Sequence, residues 1–404
     1  MQQMTFRVTA GPRVATAILI LATILAAAPA SAQKCGGDFN VWLAGVKREA
    51  VASGVSNRAL RVLSQVSRDA RVISRDRAQG VFAQTFRQFS DRMVAQYRLT
   101  QGAKNLKKYA RIFTAVERHY GVPGPVITAF WGLETDFGAN QGDFSTLNAL
   151  ATLAHDCRRP ALFRPQLIHA LKIIDRGDLT PGQMVGAWAG ELGQTQLLPS
   201  DYLGSGVDFD GNGRVDLRGS VPDVLATTGN FIASLGWRAG EPWLQEVSVP
   251  ARLPWDQADL AIQHPRAQWA KWGVKARSGR ALKADRLPAS LILPMGRKGP
   301  AFLVYPNFRV YLEWNKSLVY STTAAYFATR LAGAPKVSHG NPAAGLSLAQ
   351  TKQLQKLLAA RGYDVGKIDG IIGAGTRAAV KAVQLQLGLP ADSWPTPDIL
   401  ARLR

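Results

Sequence analysis

Apolar residues recur at intervals of three and four through most of residues 36–240, as in Phe39-Val41-Trp42-Val46 and Leu106-Tyr109-Ala110-Phe113-Val116. This spacing follows the helical period, and with few β-branched runs it predicts a largely helical body. The pattern changes over residues 245–313. Short apolar stretches such as Leu291-Ile292-Leu293 and Phe302-Leu303-Val304-Tyr305 stand among Pro250, Pro254, Pro288, Pro294 and Pro306, which predicts strands or extended segments packed on the helices. Helical spacing returns at about Ser317–Leu331. Residues 333–344, rich in Gly, Pro, Ser and Asn, read as a linker. Beyond them, Leu346, Leu348, Leu354, Leu357 and Leu358 outline an amphipathic helix closed by Gly362. A turn-rich stretch, Gly366–Gly373, leads to a second helix from Thr376 to Leu387, with Ala379, Val380, Val383 and Gln384 at core spacing. Residues 345–404 are too few to build a catalytic cleft, so binding is the expected job of this unit.

The N-terminus stands apart. Arg7 and Arg13 precede an apolar run from Val14 to Ala28 that closes on Ala30-Ser31-Ala32. That is the layout of a secretory signal peptide occupying residues 1–32, and the run is shorter than a membrane-spanning helix needs. No later segment is apolar enough to span a bilayer. The mature chain is expected to be exported to the periplasm and soluble there. Cleavage would remove two positive charges, lowering the formal net charge from +21 to +19. So large an excess favours an anionic polymer or surface. Export and the lack of a recognition motif argue against nucleic acid, whereas a cell wall bearing carboxylates or an anionic membrane face fits; an arginine-rich composition that merely reflects a GC-rich genome is the bland alternative. Two cysteines, Cys35 and Cys157, read as one disulfide in an oxidising compartment, with two buried thiols as the alternative.

Candidate chemistry concentrates in Gly121–Gly138. Pro123 and Pro125 suit a helix start, and Ile127, Phe130, Trp131 and Glu134 then fall at i, i+3, i+4 and i+7, on one face. A carboxylate at the end of an apolar stripe is desolvated, stays protonated near neutrality and can serve as a general acid. Spacing alone equally allows Glu134 to snorkel or to pair with an arginine. Asp136, two residues on, should point elsewhere. A second segment, Gly186–Ser200, supplies glycines for close backbone approach and Gln196 as a donor and acceptor for a sugar amide or hydroxyl.

Together these segments resemble the lysozyme-like membrane-bound lytic transglycosylase B family, glycoside hydrolase family 103. The resemblance rests on Glu134-Thr135-Asp136-Phe137-Gly138, Cys157-Arg158-Arg159-Pro160, Gly193-Gln194-Thr195-Gln196 with Pro199-Ser200, and Trp314-Asn315-Lys316-Ser317 with Tyr320. It implies a mainly α, lysozyme-like α+β catalytic domain over residues 33–332 with a small strand-containing section. It also implies cleavage between N-acetylmuramic acid and N-acetylglucosamine in peptidoglycan, leaving 1,6-anhydromuramic ends. In that reading Glu134 is acid and then base, and no cofactor is required for the chemistry. Gln196, Trp314, Asn315 and Tyr320 would line the cleft, with Arg158 and Arg159 facing peptide or lactyl carboxylates. A solvated face is the plain alternative for the two arginines, and a core position for Tyr320. The chain departs from the family at Ala187, where Ser is frequent, and at Glu191, where a small residue is usual.

Asp208-Phe209-Asp210-Gly211-Asn212-Gly213-Arg214 fits the start of an EF-hand loop, but position twelve is Gly219 where a bidentate Glu belongs. Family likeness implies that Asp223 closes the site, with the Arg214 carbonyl contributing, for a structural Ca2+; a bare turn is the alternative. The C-terminal unit resembles a three-helix peptidoglycan-binding domain through Asp369-Gly370, Gly373, Thr376, Ala379-Val380 and Gln384. Glycan strands are thus the expected partner, and wall-synthesis or division proteins are further candidates. Two other functions stay open: a hydrolysing muramidase using Glu191 or Asp136 as second carboxylate, and a non-catalytic wall-binding scaffold.

Overall fold

The computed structural model describes residues 36–78 and 84–404, so the expected leader and Cys35 lie outside the described residues. Within them the helical reading of the body holds, but the acid-bearing helix is not amphipathic. Helix Gly124–Thr135 starts at Pro123 and Pro125 and is buried on every side, including Val126, Thr128, Ala129, Gly132 and Leu133. The expected single apolar stripe is replaced by a central rod that other helices wrap. Helix Leu318–Leu331 lies along it, and helices Gln96–Lys108 and Ala110–Tyr120 cover its other flanks. Gly132 lets the rings of Phe137 and Phe327 close over the helix where a Cβ would collide with both. Each large side chain buried here, such as Ile127 and Phe130, contributes about 1.5–3 kcal/mol.

A second helical layer, Thr146–His155 packed on Pro160–Arg176, carries the loop that completes the cleft. A two-stranded ribbon anchors that loop: β1 (Phe144–Ser145) pairs antiparallel with β2 (Val185–Gly186). The remaining strands form one antiparallel sheet. They are β3 (Leu244–Ser248), β4 (His264–Pro265), β5 (Lys275–Ala276), β6 (Pro288–Ile292) and β7 (Ala301–Val304), in the order β4-β6-β7-β3-β5. β6 and β7 are buried at nearly every position, with Leu291 opposite Leu303 and Ile292 opposite Phe302. Inner side chains alternate between two cores: Ile292, Phe302 and Val304 join the helical core, while Leu291, Leu303 and Tyr305 join a smaller one around Trp269. Period-two alternation thus serves two hydrophobic layers at once.

Residues 333–344 have linker composition but are pinned along their length. Val337 is buried and donates its N–H to the Tyr326 hydroxyl at 3.1 Å, Ser338 N–H reaches Glu246 at 2.7 Å, and Asn341 N–H reaches the Lys298 carbonyl at 2.8 Å. The C-terminal unit follows as helices Leu348–Ala359, Ala374–Gln386 and Pro397–Arg402 around Leu354, Leu358, Val380 and Val383. It is docked on the body: Lys381 pairs with Asp259 at 2.8 Å, Arg297 N–H bonds Asp392 at 3.0 Å, and Trp394 is buried in the main core. No helix among the described residues is long and apolar enough to cross a membrane.

Candidate active site

The last turn of the central helix brings Glu134 against helix Phe308–Trp314 and the first turn of helix Leu318–Leu331. Trp314 donates its indole N–H to Glu134 Oε1 at 3.0 Å, and the Tyr320 hydroxyl donates to the same oxygen. The Trp314 ring is itself fixed by stacking on Phe130, centroid to centroid 4.1 Å, one helical turn before the acid. Ser317 caps the Tyr320 helix through the Tyr320 N–H, and Asn315 Oδ1 in turn accepts from Ser317 N–H at 2.9 Å. Trp314, Asn315 and Tyr320 therefore act together, but Asn315 spends its carbonyl on the cap that aims Tyr320.

Two neutral donors on Oε1 leave Oε2 without a protein partner among the described residues. Burial raises the Glu134 pKa to about 7, the hydroxyl and indole donors pull it down, and the charge of Glu191 pushes it up. The carboxyl is thus protonated at neutral pH in a large share of molecules, with the proton best placed on the unengaged Oε2. This is the state a general acid needs.

Asp136 has the opposite surroundings. It sits in a left-handed turn with Phe137, at φ 52° and 61°, which swings it away from Glu134. Burial acts to raise its pKa, but the bidentate Arg98 pair, at 2.5 and 3.0 Å, holds it below the usual carboxylate range. Arg98 lies in helix Gln96–Lys108, and nothing in the local sequence announces the pairing. Gln194, a motif position to which the sequence reading gave no role, accepts the Trp131 indole N–H at 2.8 Å and donates to the Arg218 carbonyl at 2.9 Å, joining the acid helix to the opposite wall.

That wall is the Gly186–Gln196 loop. Gly142 and Gly186 let the backbone of one turn press against the carbonyls of Gly186 and Glu191, where any Cβ would collide. Leu192 and Leu197 bridge to each other, which turns Gln196 into a left-handed conformation at φ 52°. The Gln196 amide nitrogen donates to the Gly193 and Gln141 carbonyls at 2.8 and 3.2 Å, leaving its oxygen as the free acceptor. Glu191 is half-buried on the same loop; burial raises its pKa, opposed by its own backbone N–H, Arg159 and the Ala189 N–H.

Arg158 and Arg159 stand elsewhere than free arginines would. Both donate to the buried carboxylate of Asp76, which Arg77 also engages. Arg77 continues to Asp156 at 2.9 Å, so the group forms a five-member ion network with about a third of each of Arg158 and Arg159 exposed. Of the two cysteines, Cys157 is exposed beside this network; Gly36, the residue after Cys35, packs against the ring of His155.

Asp208, Asp210 and Asp223 place one carboxylate oxygen each within 4.8 Å of the others. Asp208 accepts from the N–H groups of Gly211, Asn212 and Gly213, and buried Asp223 accepts from Phe209, Asp210 and Asp216, so the loop is wound round its acids. Asn212 Oδ1 accepts from Arg214 N–H at 3.2 Å, and the Arg214 side chain turns outward to Asp216. Three converging carboxylates match the oxygen-rich donor set of a hard divalent ion.

Comparison with known proteins accords with this geometry. Residues 38–329 match the transglycosylase SLT domain, and residues 347–403 match a peptidoglycan binding domain. Membrane-bound lytic murein transglycosylase B of Escherichia coli K12 is 32% identical over 205 residues, which cover 50% of this chain and 55% of that protein. The chain thus aligns with about half the length of that relative. SltB3 from Pseudomonas aeruginosa, solved in complex with NAG-anhNAM-pentapeptide, superposes with a TM-score of 0.85 at 39% identity, covering 91% of this chain and 100% of that one. Escherichia coli Slt35 shares the fold, with a TM-score of 0.62 at 24% identity over 72% of this chain and 92% of its own. With the greater part of its length matched, this chain belongs to the transglycosylase SLT domain family.

Proposed function

We propose that this protein is an exported lytic murein transglycosylase that cuts the bond between N-acetylmuramic acid and N-acetylglucosamine and leaves 1,6-anhydromuramic ends. The carrying observation is the one-sided hydrogen bonding of Glu134: Oε1 holds both protein donors and Oε2 none among the described residues. Oε2 gives its proton to the glycosidic oxygen as the C1–O bond breaks. The resulting carboxylate, still steadied at Oε1 by Trp314 and Tyr320, takes the proton of the muramoyl 6-hydroxyl as O6 bonds to C1. Acid and base are then the same group, and no second carboxylate is needed, unlike most glycosidases. Asp136 is unsuited to a second role because Arg98 occupies both of its oxygens. The oxocarbenium-like charge at C1 falls to the substrate's own N-acetyl group.

Muropeptides released from purified sacculi test this reading by mass. Transglycosylation yields ends one water lighter than hydrolysis, and Glu134→Gln should release nothing while still binding sacculi. Products of hydrolytic mass would instead favour a muramidase with Glu191 as its base. Full activity in Glu134→Gln would sink the assignment.

The same proposal gives Asp208, Asp210, Asn212, the Arg214 carbonyl and Asp223 a structural calcium ion, supported by the convergence of three carboxylates on one point. The ion would clamp the loop below the Gln196 wall and take no part in the chemistry. A bound ion stabilises only the folded state, so excess chelator should lower Tm by a few degrees and added Ca2+ should restore it. An unchanged Tm would remove the ion from the account.

A further inference from the structure

Gln194 is buried beneath the turn that carries the acid, and all four of its polar groups are hydrogen-bonded. Its two acceptors face the acid helix. Oε1 takes the Trp131 indole N–H at 2.8 Å, and the backbone carbonyl takes the Thr135 hydroxyl at 2.5 Å. Its two donors face the other way: Nε2 reaches the Arg218 carbonyl at 2.9 Å, and the backbone N–H reaches the Leu217 carbonyl at 2.8 Å. Trp131 and Thr135 stand at i−3 and i+1 from Glu134, so the hold falls on both sides of the acid. Gly138, at i+4, keeps a left-handed backbone at φ 90°, and any Cβ there would collide with the Gln194 amide. The far end is tied to the wall. The Arg218 carbonyl also accepts the Gln141 side-chain amide at 3.2 Å, and the Gln141 carbonyl accepts the Gln196 amide at 3.2 Å. The Arg218 guanidinium donates to the Val185 carbonyl of β2. A neutral amide suits this place because it offers an acceptor to an indole and a donor to a carbonyl together; a carboxylate lacks the donor, and an apolar chain lacks both.

We propose that Gln194 is a positioning residue for the cleavage reaction, a brace that sets the separation between the Glu134 turn and the Gln196 wall. The inference rests on the glycan-cleaving role given to Glu134 above. No hydrogen bond joins Gln194 to Glu134 among the described residues, so it acts through the groups around the acid and leaves the charge of the carboxyl alone. Proton transfer to the glycosidic oxygen and closure of O6 on C1 both need reacting atoms about 3–3.5 Å apart, and a displacement of about 1 Å costs up to about 100-fold in rate. With both acceptors on one element and both donors on the other, Gln194 couples the acid to the wall that carries Gln196. Loosening it therefore slows the chemical step and leaves binding in place.

The test is kinetics on soluble, uncross-linked glycan strands with two variants of the full mature chain, at a temperature where circular dichroism shows them folded. Gln194→Met, of nearly equal length, removes both side-chain bonds. It should lower kcat about 30-fold, with KM within about threefold of the unaltered protein and the alkaline limb of the pH profile in place. Gln194→Glu keeps the acceptor for Trp131 but, while ionised, has no donor for Arg218. The introduced carboxyl regains that donor on protonation, so its activity relative to the unaltered protein should rise severalfold as pH falls from about 7 to about 5. A purely structural contribution would lower Tm and leave both the kcat of folded protein and that ratio unchanged. Three results would overturn the proposal: an unchanged kcat in folded Gln194→Met, a raised KM at constant kcat, which makes Gln194 a substrate contact, or a Gln194→Glu ratio that stays flat with pH. If Gln194→Met does not fold, the pH dependence of Gln194→Glu decides. Full-rate release of anhydro ends by Gln194→Met sinks the brace alone. A slowed Gln194→Met whose parent releases ends of hydrolytic mass sinks the transglycosylase reading alone.

Discussion

Glu134 and Asp76 are both acids enclosed by the same helical body, yet they are held in opposite states. Around Glu134 the protein supplies an indole and a phenol, neutral donors that steady a carboxylate without fixing its charge, and burial keeps the pKa near 7. Around Asp76 it supplies Arg77, Arg158 and Arg159, and despite burial these hold the carboxyl below its usual range. The lesson is that burial alone does not make a catalytic acid. Burial with neutral partners gives a group poised to exchange a proton, whereas burial among cations gives a fixed anion that ties segments together.

Changing the partners should therefore break the comparison in predictable ways. The largest effect is expected on the neutral side. Tyr320→Phe removes one of the two donors to Oε1 and should lower kcat about 100-fold with little change in KM, as loss of one preorganised donor does. It should also move the alkaline limb of the kcat profile upward, because that hydroxyl lowers the Glu134 pKa. An unchanged kcat would show that Trp314 alone positions the acid.

On the cationic side the consequence is stability, with chemistry spared. Asp76→Asn leaves three guanidinium groups around a neutral amide and should cost about 2 kcal/mol by denaturant unfolding. That is below the usual figure for a broken buried pair, because the arginines are themselves a third to a half exposed. A loss of kcat without loss of stability would place Arg158 and Arg159 in substrate binding instead.

The smallest effect concerns Glu191, which lies between the two regimes because it faces both Glu134 and Arg159. The working acid is the protonated form of Glu134, so activity should fall as pH rises through about 7. Glu191→Gln removes a charge that raises this pKa, and the alkaline limb should shift to lower pH with the acidic side little changed. A limb that stays in place would leave Glu191 a wall residue only; loss of all activity would make it a second catalytic carboxylate.

Local pattern was enough for much of this molecule. The helical period, the proline-punctuated strands, the first two helices of the C-terminal unit and the Asp208–Arg214 loop all follow from spacing and turn chemistry, which act over a few residues; the third C-terminal helix was implied only by the family resemblance. Glu134 and Gln196 stood out locally as candidates, with Glu134 left open by spacing alone, whereas Trp314 and Tyr320 were legible only through the family resemblance. What the chain could not show along its length was which side chains meet. Trp314 and Tyr320 reach Glu134 from 180 and 186 positions away, and Arg98 reaches Asp136 from 38. Residues 333–344 have the composition of a loose linker, yet distant carbonyls and a tyrosine hydroxyl hold them in place. An apolar helix face reads the same whether one side or all sides are covered, so the full burial of Gly124–Thr135 was invisible too. The sequence by itself determined the elements and the residue types available to the site. Only the tertiary structure decided which carboxylate received neutral donors and which received arginines, because a proton's affinity depends on neighbours that the chain supplies from elsewhere.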